Sequence, residues 1–201
     1  MVKMPHFKDE NELMKFAENF IEERIASLEK DVACCLQGKA VFPALLYCFS
    51  TIDLLGALNA GCATKKSHTA QQSAVYMRCF MNYTEEQSRI LQSLFRHKIV
   101  HLAQPKAVFI DVQRSICWRY WHENPEKHLK LIKLPSGSKV SVTTTWEIPC
   151  DYEFNLSITH FVKDLATSVE GTSGYLAILR KEPELQKCFK TAIEQIFDPE
   201  E

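Results

Sequence analysis

Apolar residues recur at steps of three and four between residues 9 and 37. They are Leu13, Phe16, Ala17, Phe20, Ile21, Ile25, Leu28 and Val32, with Glu and Lys between them. That period lines one helical face with apolar groups and leaves the other wet. Pro43 suits the first turn of a second helix, where its missing N–H costs no hydrogen bond. Leu45 through Leu58 continue that helix as a more apolar run, which Gly61 stops. A loop over 62–68 and a third helix over about 69–82 come next. Thr84-Glu85-Glu86-Gln87 fits a capping box, so a fourth helix starts there and runs to about 102, ahead of Pro105.

The texture then changes. Val108, Ile110, Val112, Ile116, Trp118 and Tyr120 alternate with Asp111, Gln113, Ser115 and Arg119, a period of two that predicts a strand over 108–120. Residues 128–134 and 139–147 also read as strands, with Pro135-Ser136-Gly137-Ser138 as the turn between them. Helical spacing returns over 157–181, weakened at Gly171 and Gly174, and again over 183–197. The expected fold is mainly α: an antiparallel helical bundle with a small antiparallel β-sheet or hairpin insertion. It forms one domain over 1–201, with a helical core over about 9–104, a β insertion over about 107–148 and C-terminal helices over about 156–198.

A length of 201 residues with 46% hydrophobic and 24% charged positions suits a globular chain that buries a core. The net charge of −1 excludes a protein coated in basic charge for duplex DNA. The total hides a cancellation, however. Residues 84–140 are net basic, and residues 141–201 are net acidic. A confined phosphate-handling site in the middle of the chain is compatible with that distribution. The eight cysteines include no CxxC pair, and several stand inside apolar runs, such as Cys48 and Cys79. The first residues carry no apolar signal core. These features point to reduced thiols and a cytoplasmic location. The apolar stretch 41–63 is interrupted by Ser50, Thr51, Asp53 and Asn59, so it reads as a buried helix, and no membrane partner is expected.

The segment LQSLFRHKIVHLAQP packs Arg96, His97, Lys98 and His101 into six residues near a helix end. His97 and His101 are about 40° apart on a helix, which is metal-ligand spacing. A zinc site needs a third ligand, and no HExxH pattern or paired Cys supplies one, so neither metal nor cofactor is expected. Arg96 and His101 are about 140° apart on an ideal helix. They converge only through the long arginine, a helix-end distortion or a partner chain. A plainer alternative leaves both histidines in core or capping contacts. Asp53, in the apolar run FSTIDLLG, needs a cation or hydroxyl to offset its burial. Arg96 is a candidate partner: the pair either holds two helices in register or orients Arg96 towards a phosphate.

Arg96-His97-Lys98-Ile99-Val100-His101 fits an R-x4-H motif with a polar residue directly after the arginine. Together with FSTIDLLGAL and YMRCFMNYTEEQSRILQSLFRHKIVH, it resembles bacterial members of the HEPN superfamily, over residues 41–106. The resemblance implies a HEPN-like antiparallel helical bundle that forms a homodimer. It also implies a metal-independent endoribonuclease whose Arg96 and His101 line the dimer cleft. Arg96 would bind the scissile phosphate. His101 would move the proton at the 2′-OH or the leaving oxygen, and His97 would help orient them. Asp53 would support Arg96. Many members carry Asn or Asp where this chain has His97. Non-catalytic members keep the helical pairing and bind nucleotides or nucleic acid, so a phosphate-binding or structural dimerisation module is the alternative. Lys98, Lys106, Arg114 and Arg119 are further candidate RNA contacts. The aromatics Trp118, Tyr120, Trp121 and Trp146 interleave with the basic groups and either stack on bases or pack the sheet.

Overall fold

The fold is mainly α, with a small mixed sheet. A computed structural model of the chain describes residues 7–64, 68–96, 99 and 106–198. Helix α1 spans Glu10–Gln37 and α2 spans Val41–Ala60, followed by α3 at Thr69–Phe80. Helix α4 occupies Glu85–Leu91 and passes directly into a π turn at Gln92–Arg96. Strands β1 (Phe109–Asp111), β2 (Arg114–Trp121), β3 (Lys130–Lys133), β4 (Lys139–Ser141), β5 (Glu147–Pro149) and β6 (Tyr152–Ser157) follow. Helices α5 (Ile158–Glu170), α6 (Tyr175–Leu179) and α7 (Pro183–Ile196) complete the described chain. The capping box at the start of α4 is present in both halves. Gln87 N donates to Thr84 Oγ1 at 3.1 Å, and Thr84 N donates to Gln87 Oε1 at 2.9 Å. Helix α2 is the one described helix long and apolar enough to cross a membrane, and just over half of its most apolar stretch is buried inside the protein.

The chain forms two compact units. The first takes in residues up to Asp31, then Cys48–Tyr83, then those from Asp164 on. The second takes in Val32–Tyr47 and Thr84–Lys163. In the first, the apolar spacing of α1 buries Leu13, Ala17, Ile21, Ile25 and Leu28. Phe16 packs against Phe189 of α7 with ring centroids 6.4 Å apart. Tyr76 of α3 is fully buried and its hydroxyl pairs with Ser168 Oγ at 2.9 Å. Gly56 lets α2 and α3 approach closely, since a Cβ there would lie 2.9 Å from the Gln72 carbonyl carbon and the Ser73 nitrogen.

In the second unit, the sheet order is β1-β2-β6-β3. Strand β1 pairs antiparallel with β2, and β3 antiparallel with β6, but β2 and β6 run parallel, with Trp118 opposite Phe154 and Tyr120 opposite Leu156. This corrects the expected antiparallel insertion over 107–148 in two ways. The sheet is mixed, and it extends to Ser157, taking the first residues expected for the C-terminal helices. The single strand expected over 108–120 is a hairpin. It turns at Val112, whose φ of 54° is left-handed, so the period-two pattern runs straight through the turn. Strands β3 and β4 do not pair with each other. Strand β4 pairs with β5, and Val140 and Ile148 of that hairpin pack on Val108, Cys117 and Cys150.

Helices α1 and α2 are joined by a tight backbone closure. Ala40 N donates to Cys35 O at 2.7 Å, and Lys39 N to Leu36 O at 3.1 Å. That is a Schellman closure, whose left-handed position normally belongs to glycine. Here it is held by Lys39 at φ 59°, although Gly38 stands one position earlier.

Candidate nucleic-acid interface

Arg96 closes the π turn that continues α4, and it is half-buried. A π turn widens the helix by one residue, and such turns are frequent at functional sites. His97, Lys98 and His101 lie outside the described residues. Asp53 is half-buried on α2 and accepts a hydrogen bond from Ser73 Oγ, which also lies 2.8 Å from the Thr69 carbonyl. Asp53 belongs to the first unit and Arg96 to the second.

The π turn is tied to the sheet through Lys106. Its N–H donates to the Leu94 carbonyl at 2.8 Å, and its carbonyl accepts from Trp118 Nε1 at 2.9 Å. Phe95, next to Arg96, meets the Trp118 ring edge-on at 5.7 Å. Trp118 in turn stacks on Tyr120 at 5.8 Å with an interplanar angle of 22°, and Phe42 meets both rings edge-on. Strand alternation places Trp118 and Tyr120 on one face of β2 and Cys117, Arg119 and Trp121 on the other. Of the expected RNA contacts, Lys106 is therefore joined to the Arg96 turn.

Arg114 and Arg119 are engaged elsewhere. Arg114 pairs with Glu86 at 2.8 Å and with Asp111, and it lies over the Tyr152 ring. Asp111, whose side chain is 2% exposed, also takes a two-pronged clamp from Arg89 at 2.7 and 2.6 Å. The guanidinium of Arg114, and then that of Arg89, hold the Asp111 carboxyl below its ordinary range. Arg119 pairs with Glu153 at 2.9 Å and lies over Trp121, whose Nε1 donates to Asn155 Oδ1 at 2.7 Å. The aromatics thus divide: Trp121 supports a polar network, whereas the Trp118–Tyr120 pair offers a surface, with Tyr120 41% exposed. Trp146 stands 59% exposed just before β5.

The cysteines make no disulfide. Burial, and then Cys150, push the Cys117 thiol up to about 12. Such a thiol is inert as a nucleophile. A cavity of about 270 Å³ in the first unit is lined by Asp164, Thr167, Thr172 and Ser173 among others. Its carboxylate, which also accepts the Tyr83 hydroxyl at 2.9 Å, does not suit a phosphate. Among the described residues, no group of three His, Cys, Asp or Glu side chains is placed to hold a metal ion.

The chain matches no family model, no curated protein and no solved structure. Neither the Arg89–Asp111–Arg114 cluster nor the Arg119–Glu153 pair carries a sequence motif. The second depends on the parallel β2–β6 pairing, which places Glu153 opposite Cys117, next to Arg119.

Proposed function

We propose that the chain is a HEPN-like, RNA-acting protein of the cytoplasm that cuts RNA without a metal, as a homodimer, through Arg96 and His101. The observation that carries this reading is the π turn ending at Arg96 and its attachment, through Lys106 and Phe95, to the Trp118–Tyr120 pair. A turn that carries a cation and is anchored on stacked aromatics suits a single-stranded nucleic acid, which offers a phosphate and an unpaired base together. Arg96 would hold the scissile phosphate and stabilise the charge that develops on it. His101 would take the 2′-OH proton as that oxygen attacks phosphorus, or return a proton to the departing 5′ oxygen. His97 would orient the phosphate.

The test is cleavage of single-stranded RNA in EDTA. Wild type is expected to cut, leaving 2′,3′-cyclic phosphate ends. Arg96→Ala and His101→Ala are each expected to cut at least about 100-fold more slowly, with unchanged circular dichroism. Wild type that yields no product, or variants that cut as well as wild type, would sink the nuclease reading. Binding without product would leave the non-catalytic phosphate-binding module.

A further inference from the structure

A cavity of about 260 Å³ in the second unit is lined by Leu36, Lys39, Val41, Tyr120, His122 and Ile158. It lies just below the roughly 300–1,000 Å³ of drug-sized sites, so it suits a ligand no larger than about one nucleotide. Its walls are of two kinds. Leu36, Val41 and Ile158 are apolar, and Tyr120 adds an aromatic ring backed by Trp118 at 5.8 Å and Phe42 at 6.5 Å. Lys39 and His122 bring nitrogen donors, and no carboxylate belongs to the lining. The site is therefore complementary to a flat ring that carries an anion.

A second observation is independent of the cavity. Lys39 holds the left-handed position of the α1–α2 closure, and it makes no ion pair with any described residue. A side chain in that conformation is unfavourable where glycine is not. Backbone strain of this kind concentrates at binding sites. His122 is fixed by its own backbone: its carbonyl accepts from Thr159 Oγ1 at 2.8 Å and Thr159 N at 3.2 Å.

We propose that this cavity holds one nucleotide unit of single-stranded RNA, with its base against Tyr120 and its phosphate on Lys39 and His122. The proposal deepens the RNA reading and rests on it for the identity of the ligand. Tyr120 joins the two: Trp118 connects it to the Arg96 turn, and the same ring walls the cavity.

The probes are the four nucleoside 5′-monophosphates, titrated against the full chain by calorimetry, with inorganic phosphate as competitor. At least one monophosphate is expected to bind saturably, and more weakly as salt rises. Tyr120→Ala is expected to weaken that binding at least tenfold. Lys39→Gly is expected to weaken it about fivefold and flatten its salt dependence, while its Tm stays the same or rises by about 2–4 °C. A merely structural lysine would not combine weaker binding with undiminished stability. The proposal fails if no monophosphate saturates, if both variants bind as wild type does, or if inorganic phosphate competes as well as the monophosphate. RNA cleavage without monophosphate binding removes this site and leaves the nuclease reading. Binding without cleavage does the reverse.

Discussion

The two units differ in what they do with polar groups. In the first, they meet one another inside. Tyr76 pairs with Ser168 in the interior, and Tyr83 donates to Asp164. Burial, and then the Asp164 carboxylate, push the Tyr83 phenol well above its ordinary range. In the second unit, polar groups crowd the margins of a sheet. The arginines of the Asp111 cluster are partly exposed, as is Arg119, and Tyr120 presents part of its ring to solvent. Those paired hydroxyls have little left for a ligand, although the hydroxyl of Tyr175, fully buried in the same unit, finds no hydrogen-bond partner among the described residues. A sheet flanked by aromatics and cations has surface to offer, and aromatic rings give contact area at low entropic cost.

The contrast breaks most sharply on core truncation. Phe189→Ala is expected to cost about 3–5 kcal/mol, because the ring is fully buried against Phe16. Tyr120→Ala should cost no more than about 1 kcal/mol. Urea unfolding of both variants checks this, and equal costs would erase the distinction. Glycines sharpen it at a smaller scale. Gly56→Ala drives a methyl into the backbone of α3 and should cost about 1–3 kcal/mol through packing. Gly137→Ala, in the second unit, meets no atom within 4 Å but sits at φ +82°, so its cost of about 1 kcal/mol would come from the backbone alone. Thermal melts of the two variants should rank in that order.

The smallest effect concerns acid. The Asp111 carboxyl titrates lower in the folded chain than in the unfolded one. Its contribution is therefore complete above the ordinary value of 3.8 and fades as pH falls through the lower folded value. Tm measured across that range should fall more steeply for wild type than for Asp111→Asn, and the two profiles should converge in acid. Parallel profiles would mean that the clamp adds nothing.

Much of the helical architecture was legible because its signals are local. The spacing in α1 and the Thr84–Gln87 box each depend on residues a few positions apart, and Gly171 and Gly174, expected only to weaken one helix over 157–181, instead separate α5 from α6. The sheet was not legible in the same way. The turn at Val112 carries none of the residues that usually favour a left-handed backbone. Strand β6 runs into α5 without a break, between Ser157 and Ile158. Parallel pairing leaves no mark on either strand. Among the candidate site residues, Arg96 drew attention as part of a dense cluster of charge and stands at the end of the π turn, and His97, Lys98 and His101 lie outside the described residues. Arg119 read as an exposed cation because its partner Glu153 is far away in sequence, and Arg114 because Glu86 is distant and its nearer partner Asp111 faces it only across the hairpin turn.

The parallel β2–β6 pairing also sets a schedule for synthesis. Residues 122–151, with β3, β4 and β5, all emerge from the ribosome after β2 and before its neighbour β6. Until then, the nascent chain holds the β1–β2 hairpin with one side of β2 unpaired, and β3 has no neighbour at all. The first unit waits longer still, for the residues from Asp164 on. Non-local pairing of this kind folds slowly and leaves edges open to other chains. The ring of Tyr120 would therefore come to rest beside Leu156 only late in translation, making the candidate nucleotide cavity one of the last features to form.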